Sequence, residues 1–149
     1  MAKFVYGMQN VLNIKERLEA QAKSDYAQAN GRLMIEEETM RRLVKRLEGY
    51  ELEAKRLAKD KLDIAAIRRC SDAIENIKGQ ITSQAVRIRI AQKNVDAAME
   101  KLTEAMQERK IHEKLKEKAF EDFKHELNAT EMKEIDEVVS FNYNNRDEF

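Results

Sequence analysis

Glu131, Glu134, Asp136 and Glu137 crowd into the stretch EMKEIDEVVSF, which runs to Phe141. Two carboxylates can work as a general acid and base, provided both point at one substrate atom. On a helical wheel at about 100° per residue, these do not. With Ile135 at the centre, Glu131, Met132, Val138 and Val139 fall within about 60° and make an apolar stripe. Glu134 and Asp136 flank the stripe at about 100° on either side, while Glu137 lies towards the back with Lys133. The carboxylates diverge. The stripe between them extends back through Leu127, Phe123 and Phe120, and an exposed stripe of this kind is a docking face for another protein. Packing on a second copy, or back on the body of the chain, is the plainer alternative.

The other residues with chemical capacity are scattered. His112 and His125 point about 140° apart on one helix and cannot share a metal there, and neither an HExxH nor a CxxC spacing occurs. Cys70 has no histidine nearby in sequence, so it reads as a small apolar residue rather than a nucleophile. No glycine-rich phosphate loop is present. Arg41, Arg42, Lys45 and Arg46 form a basic cluster, but acids interleave soon after, without the basic fork of a DNA-reading zipper. No catalytic residue, metal ligand or cofactor site is therefore expected, and the chain is not expected to be an enzyme or a nucleic-acid binder.

The composition explains why sites are scarce. Of 149 residues, 38% are charged, with 28 basic and 28 acidic side chains; proline is absent and glycine occurs four times. Mean hydropathy is −0.73. Ala, Leu, Ile, Glu, Lys, Arg and Gln dominate, which is the make-up of long continuous helices. The balanced charge gives no net field towards nucleic acid or an anionic membrane. No apolar run approaches the roughly 20 residues of a membrane span. The opening MAKFVYGMQNVLNIK lacks the apolar core of a secretory signal, and the single cysteine fits a reducing cytoplasm.

The sustained period is seven. Ala22, Tyr26, Ala29, Leu33, Glu36, Met40, Leu43, Leu47, Tyr50, Ala54, Leu57, Lys61 and Ile64 alternate steps of four and three. A second series runs Ile67, Cys70, Ile74, Ile77, Ile81, Gln84, Ile88, Ala91, Val95, Ala98, Leu102, Ala105. Both are coiled-coil seams, and they are out of phase, which a chain reversal near Leu62 explains. Position i then faces position 124 minus i, so that Leu57 meets Ile67 and Ala29 meets Val95. Mirror centres half a heptad away fit the same arithmetic, and local signals must choose among them. Continued outwards, the mirror brings Leu18 near Met106 and Phe4 near Phe120, with an N-terminal stripe of Val11, Leu18, Ala22 and Leu33. Gln84 falls opposite Met40, either fixing register or tolerated at a wet layer, while Glu36 and Lys61 read as solvated gaps. Asp60 or Asp63 can cap the second helix, with Ser71 the competing start.

The expected fold is therefore all-α: an antiparallel two-helix coiled-coil hairpin with a C-terminal helical extension. As one domain over 1–149 it comprises an arm over about 3–58, a turn over about 59–63, a second arm over about 64–120, an unpaired helical tail over about 121–142 and a frayed end over 143–149. Each arm would be about 80 Å long at 1.5 Å per residue.

The opening MAKFVYGMQNVLNIKE, the hairpin seam, the stretch NVDAAMEKLTEAMQERKIHEKLKEKAFEDFKHE and the final EMKEIDEV together resemble the flagellar export protein FliJ family. The resemblance covers nearly the whole chain; its most specific parts are Lys114, Leu115 and Lys116 leading into Phe120 and Phe123, and Glu131, Met132 and Lys133 with Asp136 and Glu137. It implies a non-enzymatic, cytoplasmic component of the flagellar type III export apparatus that serves motility. That component would be a stalk coupling the hexameric export ATPase FliI to the export gate FlhA, in some members also escorting export chaperones. It would sit at the inner face of the cell membrane through its partners. The resemblance places Phe120, Phe123, Leu127, Glu131, Met132, Ile135, Asp136, Val138 and Val139 at the ATPase end. It places Leu43, Tyr50, Ala73 and Ile77 on the gate side near the hairpin, as exposed or half-exposed residues. An injectisome stalk is structurally equivalent, and a general helical scaffold or holdase chaperone is the remaining alternative.

Overall fold

The computed structural model describes residues 3–59, 61–127 and 133. Two helices account for nearly all of them: α1 spans Gln9–Lys59 and α2 spans Ile64–His125, and no strand occurs among the described residues. The helices pack against each other in antiparallel fashion, so the chain is a helical hairpin. The high helix propensity of the dominant residues and the lack of proline let each helix run without a break. Basic residues close both helices, Arg56 and Lys59 in α1 and Lys124 and His125 in α2, where the negative end of the helix dipole favours them.

Asp63 starts α2. Its side chain accepts a hydrogen bond from the Ala66 amide at 3.2 Å, the bond of an N-cap, and its carbonyl accepts from Ile67 at 3.0 Å. Ser71, the other candidate, lies inside the helix.

Packing divides the chain into two units, one formed by the chain up to Gln21 with the chain from Leu102 onwards, the other by Ala22–Lys101. In the Ala22–Lys101 unit, the buried residues are Leu33, Leu43, Cys70, Ile77, Gln84, Ala91 and Val95. All seven belong to the two seven-residue series. Leu33, Ala91 and Val95 form one cluster against which Tyr26, Ala29 and Ile88 pack, as the mirror pairing about Leu62 requires.

Lys61 is exposed, as a solvated gap should be, but Glu36 and Gln84 are not gaps. Gln84 is buried and donates through Nε2 to the Glu36 carbonyl at 2.9 Å and to its carboxylate at 2.5 Å. Its partner is Glu36 rather than Met40. The layer is polar on both sides, which satisfies the buried amide and favours this alignment of the helices over shifted ones.

In the other unit, the mirror predicts the aromatic contact but misplaces the stripe on α1. The buried residues are Leu12 and Glu19 on α1 and Leu102 on α2, whereas Leu18 is 51% exposed and Val11 is half-buried. Leu12 and Glu19 continue the heptad of Tyr26 and Leu33 without any drift towards an eleven-residue spacing. The physical reason is an ion pair: Glu19 occupies a seam position because Arg109 of α2 binds its carboxylate.

Candidate functional site

Unit by unit, the described residues show what holds each candidate surface. In the unit containing both ends of the sequence, the chain before α1 folds onto α2. Phe4 packs edge-on against Phe120 with ring centroids 5.1 Å apart, and tilted against Phe123 at 5.4 Å. The Lys124 ammonium lies 4.7 Å from the Phe120 centroid, over the electron-rich face of the ring. Phe120 and Phe123 are consequently half-buried, partnered by Phe4, rather than an open apolar stripe.

Above this aromatic cluster the two helices are tied by charge. Arg109 of α2 donates to the buried Glu19 of α1 and, through the other arm of its guanidinium, to Glu113 at 2.9 Å. These carboxylates, Glu113 first, hold the Arg109 pKa above its already high ordinary value, against the effect of burial. Lys15 donates to Glu108 at 2.7 Å, and this bond holds the Glu108 carboxyl below the ordinary carboxylate value. Beside them the Nδ1 atom of His112 is buried without a hydrogen-bond partner among the described residues.

α2 ends at His125. The amides of Glu126 and Leu127 bond back to the carbonyls of Phe123 and Lys124, both at 3.3 Å, the tightened turns of a helix end. The second helix thus takes in the expected arm to residue 120 and the first five residues of the expected helical tail. The expected tail and frayed end lie outside the described residues from 128 onwards, apart from Lys133, which is helical and exposed. Glu131, Met132, Ile135, Asp136, Val138 and Val139 lie outside them too, whereas Leu127 is described and half-buried.

Of the four residues expected on the gate side, the Ala22–Lys101 unit buries two. Ile77 is 1% exposed and Leu43 8%, which leaves neither side chain available to a partner. Both occupy core positions of a coiled-coil seam, where the facing helix covers them; the resemblance carried them to exposed roles that this seam overrules. Tyr50 is exposed and Ala73 half-buried. The Tyr50 carbonyl accepts a weak bond from Sγ of buried Cys70 at 3.3 Å, so the thiol is a packed core group. Arg41 and Arg42 of the basic cluster both pair with Glu38, which neutralises part of it.

Among the described residues no group of three His, Cys, Asp or Glu side chains is placed to hold a metal, and no helix is long and apolar enough to cross a membrane. What the geometry offers is surface on two packed helices.

A family model described as "Flagellar FliJ protein" matches residues 5–148. The chain belongs to the FliJ family. The match takes in both helices and both terminal segments, so membership rests on nearly the whole sequence and not on a local helical likeness. FliJ membership gives the chain a flagellar, export-related role in a non-enzymatic family, and its partners are those of the flagellar export apparatus. No curated protein and no solved structure gives a match.

Proposed function

We propose that the chain is a coiled-coil stalk of the flagellar type III export apparatus, coupling the hexameric export ATPase FliI to the export gate FlhA and escorting export chaperones. The match of the FliJ family model to residues 5–148 carries this reading. Within the Ala22–Lys101 unit, a heptad seam with a bonded polar layer supplies the stiffness that a coupling element needs.

The ATPase-facing surface in this proposal is built from Phe120, Phe123 and Leu127, followed by Glu131, Met132, Ile135, Asp136, Val138 and Val139. Its apolar centre would be buried on binding and its acidic flanks would choose the partner by charge. On the gate side, Tyr50 and Ala73 offer accessible side chains, with Leu43 and Ile77 setting the seam beneath them. The protein would be peripheral at the inner face of the cell membrane, held there by its partners.

Co-purification with the export ATPase and the gate protein of the same organism tests the proposal. The double substitution Ile135→Asp/Val139→Asp is expected to abolish ATPase capture with helicity nearly unchanged, while capture by the gate protein persists. ATPase capture at the wild-type level would remove the assignment of this surface.

A further inference from the structure

The turn between the helices carries an apolar apex inside a basic collar. A turn that only reverses the chain is usually made of Gly, Asn, Asp, Ser or Pro, which suit its backbone. Here the described residues between α1 and α2 are Lys61, Leu62 and Asp63, and α2 begins with Ile64. Leu62 is 74% exposed and Ile64 72%. Ile64 ends the first seven-residue series, yet the seam does not use it; Ile67, nearly one turn further on, is the half-buried residue. Two large aliphatic side chains therefore stand in water at the turn of the Ala22–Lys101 unit.

The charge around them is one-sided. Residues 55–69 hold six basic side chains, Lys55, Arg56, Lys59, Lys61, Arg68 and Arg69, against the acidic Asp60 and Asp63. The other 134 residues carry 22 basic and 26 acidic side chains, so a balanced total conceals a basic tip. All six basic residues are exposed, and only Arg56 has a neighbouring carboxylate in an ion pair printed on its own helix, that of Glu53. Asp63, the acidic residue nearest the apex, is engaged in capping α2.

The collar lies close behind the apex. Arg68 and Arg69 follow Ile64 by about 6 and 7.5 Å along α2, and Arg68 lies about 40° from Ile64 around the axis, on the same side. On α1, Lys59 is the last helical residue and Lys55 stands about one turn before it. These charges are therefore within about 8 Å of the apex, one Debye length at physiological ionic strength.

We propose that this tip binds directly to an anionic bilayer surface, with Leu62 and Ile64 entering the boundary between headgroups and acyl chains and the collar among the lipid phosphates. Shape and chemistry select this acceptor. A convex apolar apex ringed by flexible cations fits an interface that yields around it, and long Lys and Arg stems keep their charges at headgroup level while the aliphatic tips go deeper. An acidic protein would have to offer a hollow of matching shape. Each basic residue near an anionic surface strengthens binding by about fivefold, and apolar insertion supplies the second signal that stable peripheral attachment needs. In the reading of the previous subsection the chain reaches the membrane through its partners. The tip gives it a contact of its own, which holds whichever proteins those partners are.

Flotation of the full chain with lipid vesicles tests the tip. Vesicles of phosphatidylglycerol mixed equally with phosphatidylcholine are expected to carry the chain at about 0.1 M salt, and to lose it near about 1 M, where the Debye length is about 3 Å. Pure phosphatidylcholine vesicles are expected to leave it behind. Leu62→Ser/Ile64→Ser should weaken partitioning roughly tenfold, and Arg68→Glu/Arg69→Glu by about 25-fold or more, with helicity by circular dichroism unchanged. Arg89→Glu/Lys93→Glu makes the same change in net charge at exposed residues of α2 away from the turn, and should leave partitioning nearly as it was.

No flotation with the anionic vesicles, or equal flotation with phosphatidylcholine alone, overturns the proposal. The comparison of lipids uses the unaltered chain, so this outcome does not depend on the folding of any variant. Equal losses in Arg89→Glu/Lys93→Glu and Arg68→Glu/Arg69→Glu also overturn it, because the charge of the chain as a whole would then be acting. Undiminished capture of Leu62→Ser/Ile64→Ser overturns the apolar apex. The vesicles hold neither ATPase nor gate protein, so failure here and failure of the co-purification are separate results.

Discussion

Phe4 and Phe120 meet edge to face with their ring centroids 5.1 Å apart, so the segment preceding α1 is fastened to the last turns of α2. Edge-to-face aromatic pairs contribute beyond their buried area, and this pair joins residues near opposite ends of the sequence. A double-mutant cycle of Phe4→Leu and Phe120→Leu, read by urea denaturation, is expected to give a coupling of about 0.5–1.5 kcal/mol. Additive single effects would mean that the rings touch without mutual stabilisation.

Arg109 binds Glu19 on the facing helix and Glu113 on its own, and Glu19 is nearly inaccessible, with 8% of its side chain exposed. Arg109→Leu is expected to destabilise the chain by about 2–3 kcal/mol, since it removes a charged partner from a buried carboxylate. Glu19→Leu/Arg109→Leu together should recover most of that loss, because two apolar residues suit a heptad position. A double variant no more stable than Arg109→Leu would show that the loss does not come from the stranded carboxylate.

Glu108 has a lowered pKa because of its hydrogen bond from Lys15. With the folded value below the unfolded one, the contribution is present above the ordinary carboxylate value and is lost as pH falls through the folded value. The pair is exposed on the Glu108 side, so its effect on stability is small and sensitive to salt. In Lys15→Met, carboxyl NMR titration is expected to show the Glu108 pKa rising towards its ordinary value. An unmoved titration curve would refute Lys15 as the cause.

Asp63 caps α2 through the Ala66 amide. Asp63→Ala is expected to cost about 0.5–2 kcal/mol and to speed hydrogen exchange at the Ile64–Ile67 amides, with Asp63→Asn retaining most of the protection. Ser71→Ala, inside the helix, should leave the same amides unchanged.

Much of the fold was readable because a coiled coil writes its contacts into a seven-residue period. Leu33, Leu43, Ile77, Ala91 and Val95 announce their burial by spacing alone, and a mirror about Leu62 joins the two series into a hairpin. The reading failed where a charged residue holds a seam position. Glu19 and Arg109 each alone look like surface residues, and the apolar pattern points to the neighbouring Leu18 in their stead. Glu36 was read as a gap for the same reason, whereas it is the partner of Gln84. The gate-side residues show the converse: a resemblance carries roles, but the exposure of Ile77 is set by the helix across from it.

By itself, then, the sequence determined helicity, the heptad and the family, since these depend on residue type, period and order along the chain. The tertiary structure alone decided that Glu19 lies inside, that Gln84 bonds Glu36, that Phe4 reaches Phe123 as well as Phe120, and that α2 halts at His125. Each of these depends on what another segment brings to the same place. A buried charge or amide is tolerated only where its partner is delivered to it, and spacing along one helix does not contain that partner.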